Sequence, residues 1–270
     1  MLHSNRIVIK IGTSTLTNAN GSLNFRVIDR LARVICGLRN SGLEVVMVSS
    51  GAIAVGVNKM RMAKRPKELR LKQAAAAVGQ CELMHIYDKF FGEYGQMVAQ
   101  ILFNSEDVEN PDKRRNLTNT FDALLENGII PIINENDSIG AVEIESDKKL
   151  FGDNDTLSAV VSSFCGASRL IILSDIEGLY DSDPRKNPDA KLIREISRID
   201  DSILALGHGA GTNRGTGGMI TKLTAAGIAT AHGADVYITF GGKPENIYDI
   251  MDGKETGTHF LTQEDRGEAT

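Results

Sequence analysis

The chain has 270 residues, 41% hydrophobic and 24% charged, with 30 Lys and Arg against 35 Asp and Glu and a formal net charge of −5. This is the composition of an ordinary soluble globular protein, and the charge balance argues against nucleic-acid binding through bulk positive charge. Chains of this length bury roughly 70–75% of their unfolded surface, so the core needs no disulfide or metal staple. Cys36, Cys81 and Cys165 lie far apart without a C-x-x-C pair, which suggests a reducing compartment with each thiol acting as a small apolar side chain. The first ten residues carry too few apolar side chains for a signal-peptide core, and no apolar run approaches the ~20 residues of a membrane span. The expectation is a cytoplasmic protein with neither membrane nor nucleic acid as partner.

Arg6 to Gly12 is a β-branched run of the kind buried on both faces of a parallel sheet. From Asn24 to Asn40, Val27, Leu31, Val34, Ile35 and Leu38 recur at helical spacing. Ser41-Gly42 stops that helix, and Leu43 to Val48 supplies the next strand, completing a right-handed βαβ unit. Residues Lys67 to Gly92 read as a helix, Gln96 to Phe103 as a strand and Asn116 to Glu126 as a helix. Gly128 to Asn134 has strand character, although Pro131 disfavours a central position. Then follow a helix over Thr156 to Cys165, a strand over Ser168 to Leu173 and a long helix over Gly217 to His232. A strand over Ala234 to Phe240, a short helix over Pro244 to Met251 and an edge strand over Thr256 to Leu261 complete the pattern. Strands and helices alternate throughout, with no linker and no internal repeat. The expected architecture is a single α/β domain over residues 1–262, a three-layer αβα sandwich on a largely parallel sheet, followed by a short polar tail at 263–270.

In such folds ligands collect at the carboxyl ends of the strands. There the sequence places Lys10-Ile-Gly-Thr-Ser14, Ser49-Ser-Gly-Ala52, Asn134-Glu-Asn-Asp137 and Ser174-Asp-Ile-Glu-Gly178. Any one of these suits a solvated turn or a helix cap; four together favour a site. Two glycine clusters, Ser49-Ser-Gly-Ala and Gly215-Thr-Gly-Gly-Met-Ile-Thr-Lys222, precede helices and offer backbone N–H groups to an anion. Neither is a Walker A loop, and no G-x-G-x-x-G follows the first strand, which weakens a dinucleotide-binding reading. Lys222 on the helix tilts its loop towards phosphate. Asp153, Asn154 and Asp155 precede another helix; one of them suffices as an N-cap, and the others suit an ammonium group, a metal or a lysine. The five histidines show no metal-ligand spacing and there is no G-x-S-x-G elbow, so zinc and acyl-enzyme chemistry are unsupported.

Six ordered segments carry a resemblance that spans about Arg6 to Leu261. They are Lys10-Ile-Gly-Thr-Ser, Val48-Ser-Ser-Gly-Ala-Ile-Ala, Pro131-Ile-Ile-Asn-Glu-Asn-Asp, Phe151-Gly-Asp-Asn-Asp-Thr-Leu-Ser, Ser174-Asp-Ile-Glu-Gly-Leu-Tyr with Asp183-Pro-Arg, and Gly215-Thr-Gly-Gly-Met-Ile-Thr-Lys. Together they resemble the glutamate 5-kinase group of the amino acid kinases. The resemblance implies the amino acid kinase fold and transfer of phosphate from ATP, with Mg²⁺, to the γ-carboxylate of L-glutamate in proline biosynthesis. By matched position it implies that Lys10 and Lys222 contact the transferring phosphoryl group while Asp155 orients them. Ser50, Asp137 and Asn154 would hold glutamate with Asn134 and Asp153 close by. Lys10, Ser174, Asp175 and the stretch Thr216, Gly217, Gly218, Met219, Ile220, Thr221 and Lys222 would bind ATP. The N-terminal part would thus serve mainly glutamate and the C-terminal part mainly ATP, with no protein metal ligand assigned. A homo-oligomer, dimer or tetramer, with feedback by proline is also implied. Many members carry a C-terminal PUA domain; with about nine residues after Leu261, the expectation is a short form without it. The alternatives are another amino acid kinase (acetylglutamate, aspartate, carbamate or UMP kinase), a non-catalytic amino-acid-sensing module, and a Rossmann oxidoreductase.

Overall fold

A computed structural model describes residues 2–140, 153–207 and 218–262. One eight-stranded sheet runs through them. In chain order the strands are β1 (His3–Ile11), β2 (Glu44–Ser49), β3 (Val98–Phe103), β4 (Ile130–Glu135), β5 (Ala167–Ser174), β6 (Glu195–Ile196), β7 (Asp235–Phe240) and β8 (Thr258–Phe260). Their spatial order is β3-β4-β2-β1-β5-β7-β8-β6. Pairing is parallel from β3 across to β7, and only the β7–β8 pair is antiparallel. The chain first builds one side of β1 and then crosses to β5 on the other. The carboxyl ends of β1 and β5 therefore flank the point where strand order reverses, where open α/β sheets bind ligands.

Ten helices accompany the described strands: α1 (Thr13–Leu16), α2 (Phe25–Asn40), α3 (Ala52–Lys59), α4 (Leu69–Gly92), α5 (Ser105–Glu109), α6 (Pro111–Glu126), α7 (Asn154–Cys165), α8 (Asp201–Gly207), α9 (Met219–Ala231) and α10 (Asn246–Met251). Side-chain alternation in the strands separates two cores. Ile7, Ile9 and Ile11 of β1 join Val45 and Met47 of β2 against α2, α4 and α10. Val8, Val46, Val48 and Ile172 face the other way, against α6, α7 and α9. The same alternation sends Lys10, two residues after Val8, to the α7–α9 side. That is how a strand that is otherwise entirely apolar in its second half delivers one ammonium group to a buried place.

The strands and helices expected from the sequence are present, with two departures. The strand at Thr256 to Leu261 is not the edge: β8 has β7 on one side and the two-residue β6, which has no sequence signal, on the other. Pro131 stands inside β4, between β3 and β2, yet the register with β2 begins only at Met47↔Ile132. Its missing N–H thus falls at the start of that ladder, where a proline does least harm. The helices α1, α5 and α8 are short pieces without a sustained apolar period, and α3 follows Gly51, whose φ of 102° selects glycine at the turn.

Helices α3 and α4 cross almost backbone to backbone. A Cβ at Gly79 would stand 1.8 Å from the Ala52 carbonyl oxygen, and one at Gly56 would stand 1.7 Å from that of Ala75. This contact fixes α4 relative to the turn at Ser50 and Gly51. Gly79→Ala should therefore destabilise by about 3 kcal/mol or more, the upper end of overpacking costs. Gly92→Ala, in the same helix with nothing within 4 Å of the new methyl, should be neutral or stabilise by up to about 1 kcal/mol. Urea unfolding of the two variants checks the contrast.

Candidate active site

At the carboxyl ends of the strands, three charged side chains from three elements meet in a buried cluster. Lys10 Nζ of β1 lies 2.5 Å from Asp155 Oδ1, and Lys222 Nζ of α9 lies 3.1 Å from Asp155 Oδ2. Exposure is 6% for Lys10, 1% for Asp155 and 7% for Lys222. Thr221 Oγ1 also donates to Asp155 Oδ2, at 2.8 Å, and to the Gly218 carbonyl at 2.8 Å. Burial alone would raise the Asp155 pKa, but the two ammonium groups and the Lys10 and Thr221 hydrogen bonds outweigh it and hold the carboxyl well below the usual carboxylate range. Asp155 sits in the first turn of α7, where the helix dipole also favours negative charge. Two cations thus share one anion. Among the directly ion-paired groups there is one positive charge more than negative, in a poorly solvated place, with the Asp153 carboxyl close enough to feel Lys10.

Asp153 caps α7: its Oδ1 accepts from Asp155 N at 2.7 Å and Thr156 N at 3.0 Å. Burial and the neighbouring Asp155 raise its pKa against those hydrogen bonds. Between them, Asn154 reaches in the opposite direction. Its Nδ2, with two protons to donate, lies within hydrogen-bond distance of three acceptors, the Ser49 carbonyl at 3.0 Å, Ser50 Oγ at 3.0 Å and Asn134 Oδ1 at 2.9 Å. Asn134, 3% exposed, donates in turn from Nδ2 to Gln80 Oε1 on α4 at 3.0 Å. Ser49 Oγ shares a 2.8 Å hydrogen bond with Tyr87, about two helical turns beyond Gln80. Expected site residues from β2, β4 and α7 are therefore tied into one network. Asp137 stands nearby, half-buried on the wall of a cavity of about 420 Å³ that Gln80, Gln100, Glu135 and Ser138 also line.

On the other side of β1, Ser174 ends β5, buried, with its Oγ 3.3 Å from the Oδ1 of an exposed Asp175. Gly218 caps α9 in extended conformation, and Met219, Ile220, Thr221 and Lys222 form the first turn behind it. Thr216 and Gly217 lie outside the described residues, as do Phe151 and Gly152 and the tail at 263–270. Among the described residues no three His, Cys, Asp or Glu side chains form a group able to hold a metal ion, and no helix is long and apolar enough to cross a membrane.

The sequence did not single out Gln80, Tyr87 or the Ser49 hydroxyl. Gln80 carries a faint signal, a polar residue directly after Gly79 in the stretch Ala74-Ala-Ala-Ala-Val-Gly-Gln80. Thr221 was expected at ATP, and its hydroxyl here serves Asp155.

The sequence pattern of the amino acid kinase family matches residues 5–239. A carbamate kinase from Giardia lamblia bound to AMP-PNP has a similar fold, with a TM-score of 0.68 at 17% identity over 97% of this chain and all of that one. A UMP kinase from Bacillus anthracis follows at 0.63 and 16% identity, covering 96% of each chain. Among curated relatives, a glutamate 5-kinase from Clostridium perfringens is 55% identical over 260 residues, covering 96% of both chains. One from Listeria innocua is 49% identical over 97% of this chain and 95% of its own. The chain belongs to the amino acid kinase family, within its glutamate 5-kinase group.

The buried cluster makes a sharp demand on stability. Asp155→Asn leaves two ammonium groups without their counter-charge and should cost about 3–5 kcal/mol at pH 7. Because the folded Asp155 pKa lies below its unfolded value near ~3.9, the carboxylate stabilises above that pH and its contribution is lost as pH falls below it. The gap between wild type and Asp155→Asn in urea unfolding should therefore be constant from pH 7 to about 5 and shrink below pH ~4. A gap that widens in acid would mean that the carboxylate is not what holds the lysines.

Proposed function

We propose that this site transfers the γ-phosphoryl group of ATP to the γ-carboxylate of L-glutamate, giving L-glutamyl 5-phosphate, the first step of proline biosynthesis. The observation that carries the reading is the Lys10–Asp155–Lys222 cluster, where two buried ammonium groups hold more positive charge than their shared carboxylate can balance. In this transfer a γ-carboxylate oxygen of glutamate forms the new P–O bond while the bond from the γ-phosphorus to the β–γ bridging oxygen breaks, and ADP leaves with that oxygen. No proton need move and no covalent enzyme intermediate is required. The obstacle is electrostatic, since two anions must meet, and catalysis rests on positioning and charge stabilisation. Lys10 and Lys222 supply fixed positive charge on the transferred group, and Asp155 keeps both in place before the substrates arrive.

ATP enters as its Mg²⁺ complex. The ion would be held chiefly by the ATP phosphates and water, as is usual for Mg²⁺, and would supply further positive charge to the transferring group. Ser174, Asp175 and Gly218 to Lys222 on the β5–α9 side take the nucleotide, together with Thr216 and Gly217. Ser50, Asn134, Asp137, Asp153 and Asn154 take glutamate on the β2–β4 side, the carboxylates facing its α-ammonium group. Residues 1–262 act as one catalytic domain, its earlier part mainly for glutamate and its later part mainly for ATP. Proline shares the α-ammonium and α-carboxylate of glutamate, so the same acidic and amide groups suit it as a feedback inhibitor. The protein works in the cytoplasm as a homo-oligomer, a dimer or tetramer.

The test is ATP turnover with L-glutamate and Mg²⁺, trapping the acyl phosphate as a hydroxamate. Hydroxamate should form with glutamate and not with aspartate, and ADP release with carbamate or UMP at an equal rate would contradict the assignment. In the same assay Lys222→Ala should lower kcat by about 10²–10³ with ATP binding little changed, because the ammonium group acts on charge that develops during transfer. Lys222→Arg should restore little, since a planar fork does not replace a compact point charge.

A further inference from the structure

The amide network has a fixed direction. The Ser49 backbone carbonyl can only accept, so the Asn154 group facing it is the amino group, Nδ2. That amino group also faces Asn134 at 2.9 Å, which must therefore present its oxygen. Asn134 is left with its own amino group for Gln80, and Gln80 must present Oε1. One backbone carbonyl thus settles the orientation of three side-chain amides, assignments that otherwise have to be inferred from the hydrogen-bond network. The outcome at the far end is that Gln80 keeps Nε2, a pure donor, which has no hydrogen-bond partner among the described residues. Gln80 lines the 420 Å³ cavity with Glu135 and Asp137. Two acidic side chains and the amides of Gln80, Gln100 and Asn136 line it, which suits a zwitterion: an ammonium group against the carboxylates, a carboxylate against an amide donor.

We propose that Gln80 determines which acceptor the site takes, by donating from Nε2 to the α-carboxylate of the amino acid. The inference rests on reading the cavity as part of the glutamate site. Gln80 is two hydrogen bonds removed, through Asn134, from Asn154 in the α7 turn that carries Asp155, which puts it towards the end of the site away from the two lysines. The γ-carboxylate belongs at the lysine end, where the phosphoryl group arrives. The α-carboxylate, at the other end of the molecule, then falls to Gln80. An acceptor lacking that group leaves Nε2 unpaired in a confined place, and sites built around a hydrogen-bonding substrate group discriminate strongly against analogues without it.

Two substitutions separate recognition from mere support of Asn134. Gln80→Glu keeps an acceptor for Asn134 Nδ2 but replaces the donor by negative charge; Gln80→Met removes both with little change of shape. If Gln80 meets the α-carboxylate, Gln80→Glu is the worse variant, raising the glutamate KM about 100-fold against about tenfold for Gln80→Met, with the ATP KM within about twofold in both. If Gln80 only props Asn134, the order reverses, and that result would overturn the inference, as would a glutamate KM unchanged in either variant. A second measurement does not depend on Gln80→Glu folding well. Competition by 4-aminobutyrate, which is glutamate without its α-carboxylate, should be much weaker than glutamate binding in wild type, and the difference should shrink about tenfold in Gln80→Met. An undiminished difference would also overturn it. Wild type that forms no hydroxamate from glutamate would instead remove the functional reading, and this inference with it.

Discussion

The structure depends on one carboxylate held between two lysines. Asp155 comes from the first turn of α7, Lys10 from the middle strand of the parallel pairing and Lys222 from the first turns of α9. No two of these are near in sequence, and the sandwich is what brings both ammonium groups within 3.1 Å of the Asp155 carboxylate oxygens. Burying three charges is expensive unless they are paired and hydrogen-bonded. Asp155 is both, through two ammonium groups and the Thr221 hydroxyl. The lysines are less completely matched, since they share one partner. In the proposed transfer, that imbalance is what an incoming phosphoryl group would relieve.

Everything around the cluster serves to keep its geometry. Asp153 caps α7 and so fixes the turn from which Asp155 projects. Asn154, on the opposite side of the same turn, ties α7 to the ends of β2 and β4. The close crossing at Gly56 and Gly79 then seats α4, so that Gln80 and Tyr87 reach Asn134 and Ser49 from the other layer. The amide network and the charged cluster are thus joined at consecutive residues, 154 and 155. In the proposed transfer, a displacement of the α7 N-terminus would disturb both substrates together.

Much of this was legible in the sequence, because strand ends announce themselves. The apolar runs before Gly12, Ser49, Asn134 and Ser174 are strands in the structure, and the polar residues after them share one edge of the sheet because the strands are parallel. Lys10, Ser50, Asn134, Asn154, Asp155 and Lys222 are brought together as their positions implied. What stayed hidden was carried by helix α4. Gln80 and Tyr87 lie in a helix whose Ala-rich sequence shows a weak period, and their importance comes from the partners that a glycine-mediated crossing sets before them. The short β6 and the internal place of β8 were also invisible, since two or three residues carry no period.

In the proposed transfer, Lys10 and Lys222 bind the phosphoryl group more tightly during transfer than before it. Binding of ADP with aluminium fluoride and glutamate, against ADP with glutamate alone, measures that difference without turnover. Wild type should gain at least about 100-fold in affinity from the phosphoryl mimic, and Lys10→Ala and Lys222→Ala should each lose most of that gain while binding ADP almost as well as wild type. Equal gains in wild type and the two variants would show that the surplus charge of the buried cluster plays no part in the transfer.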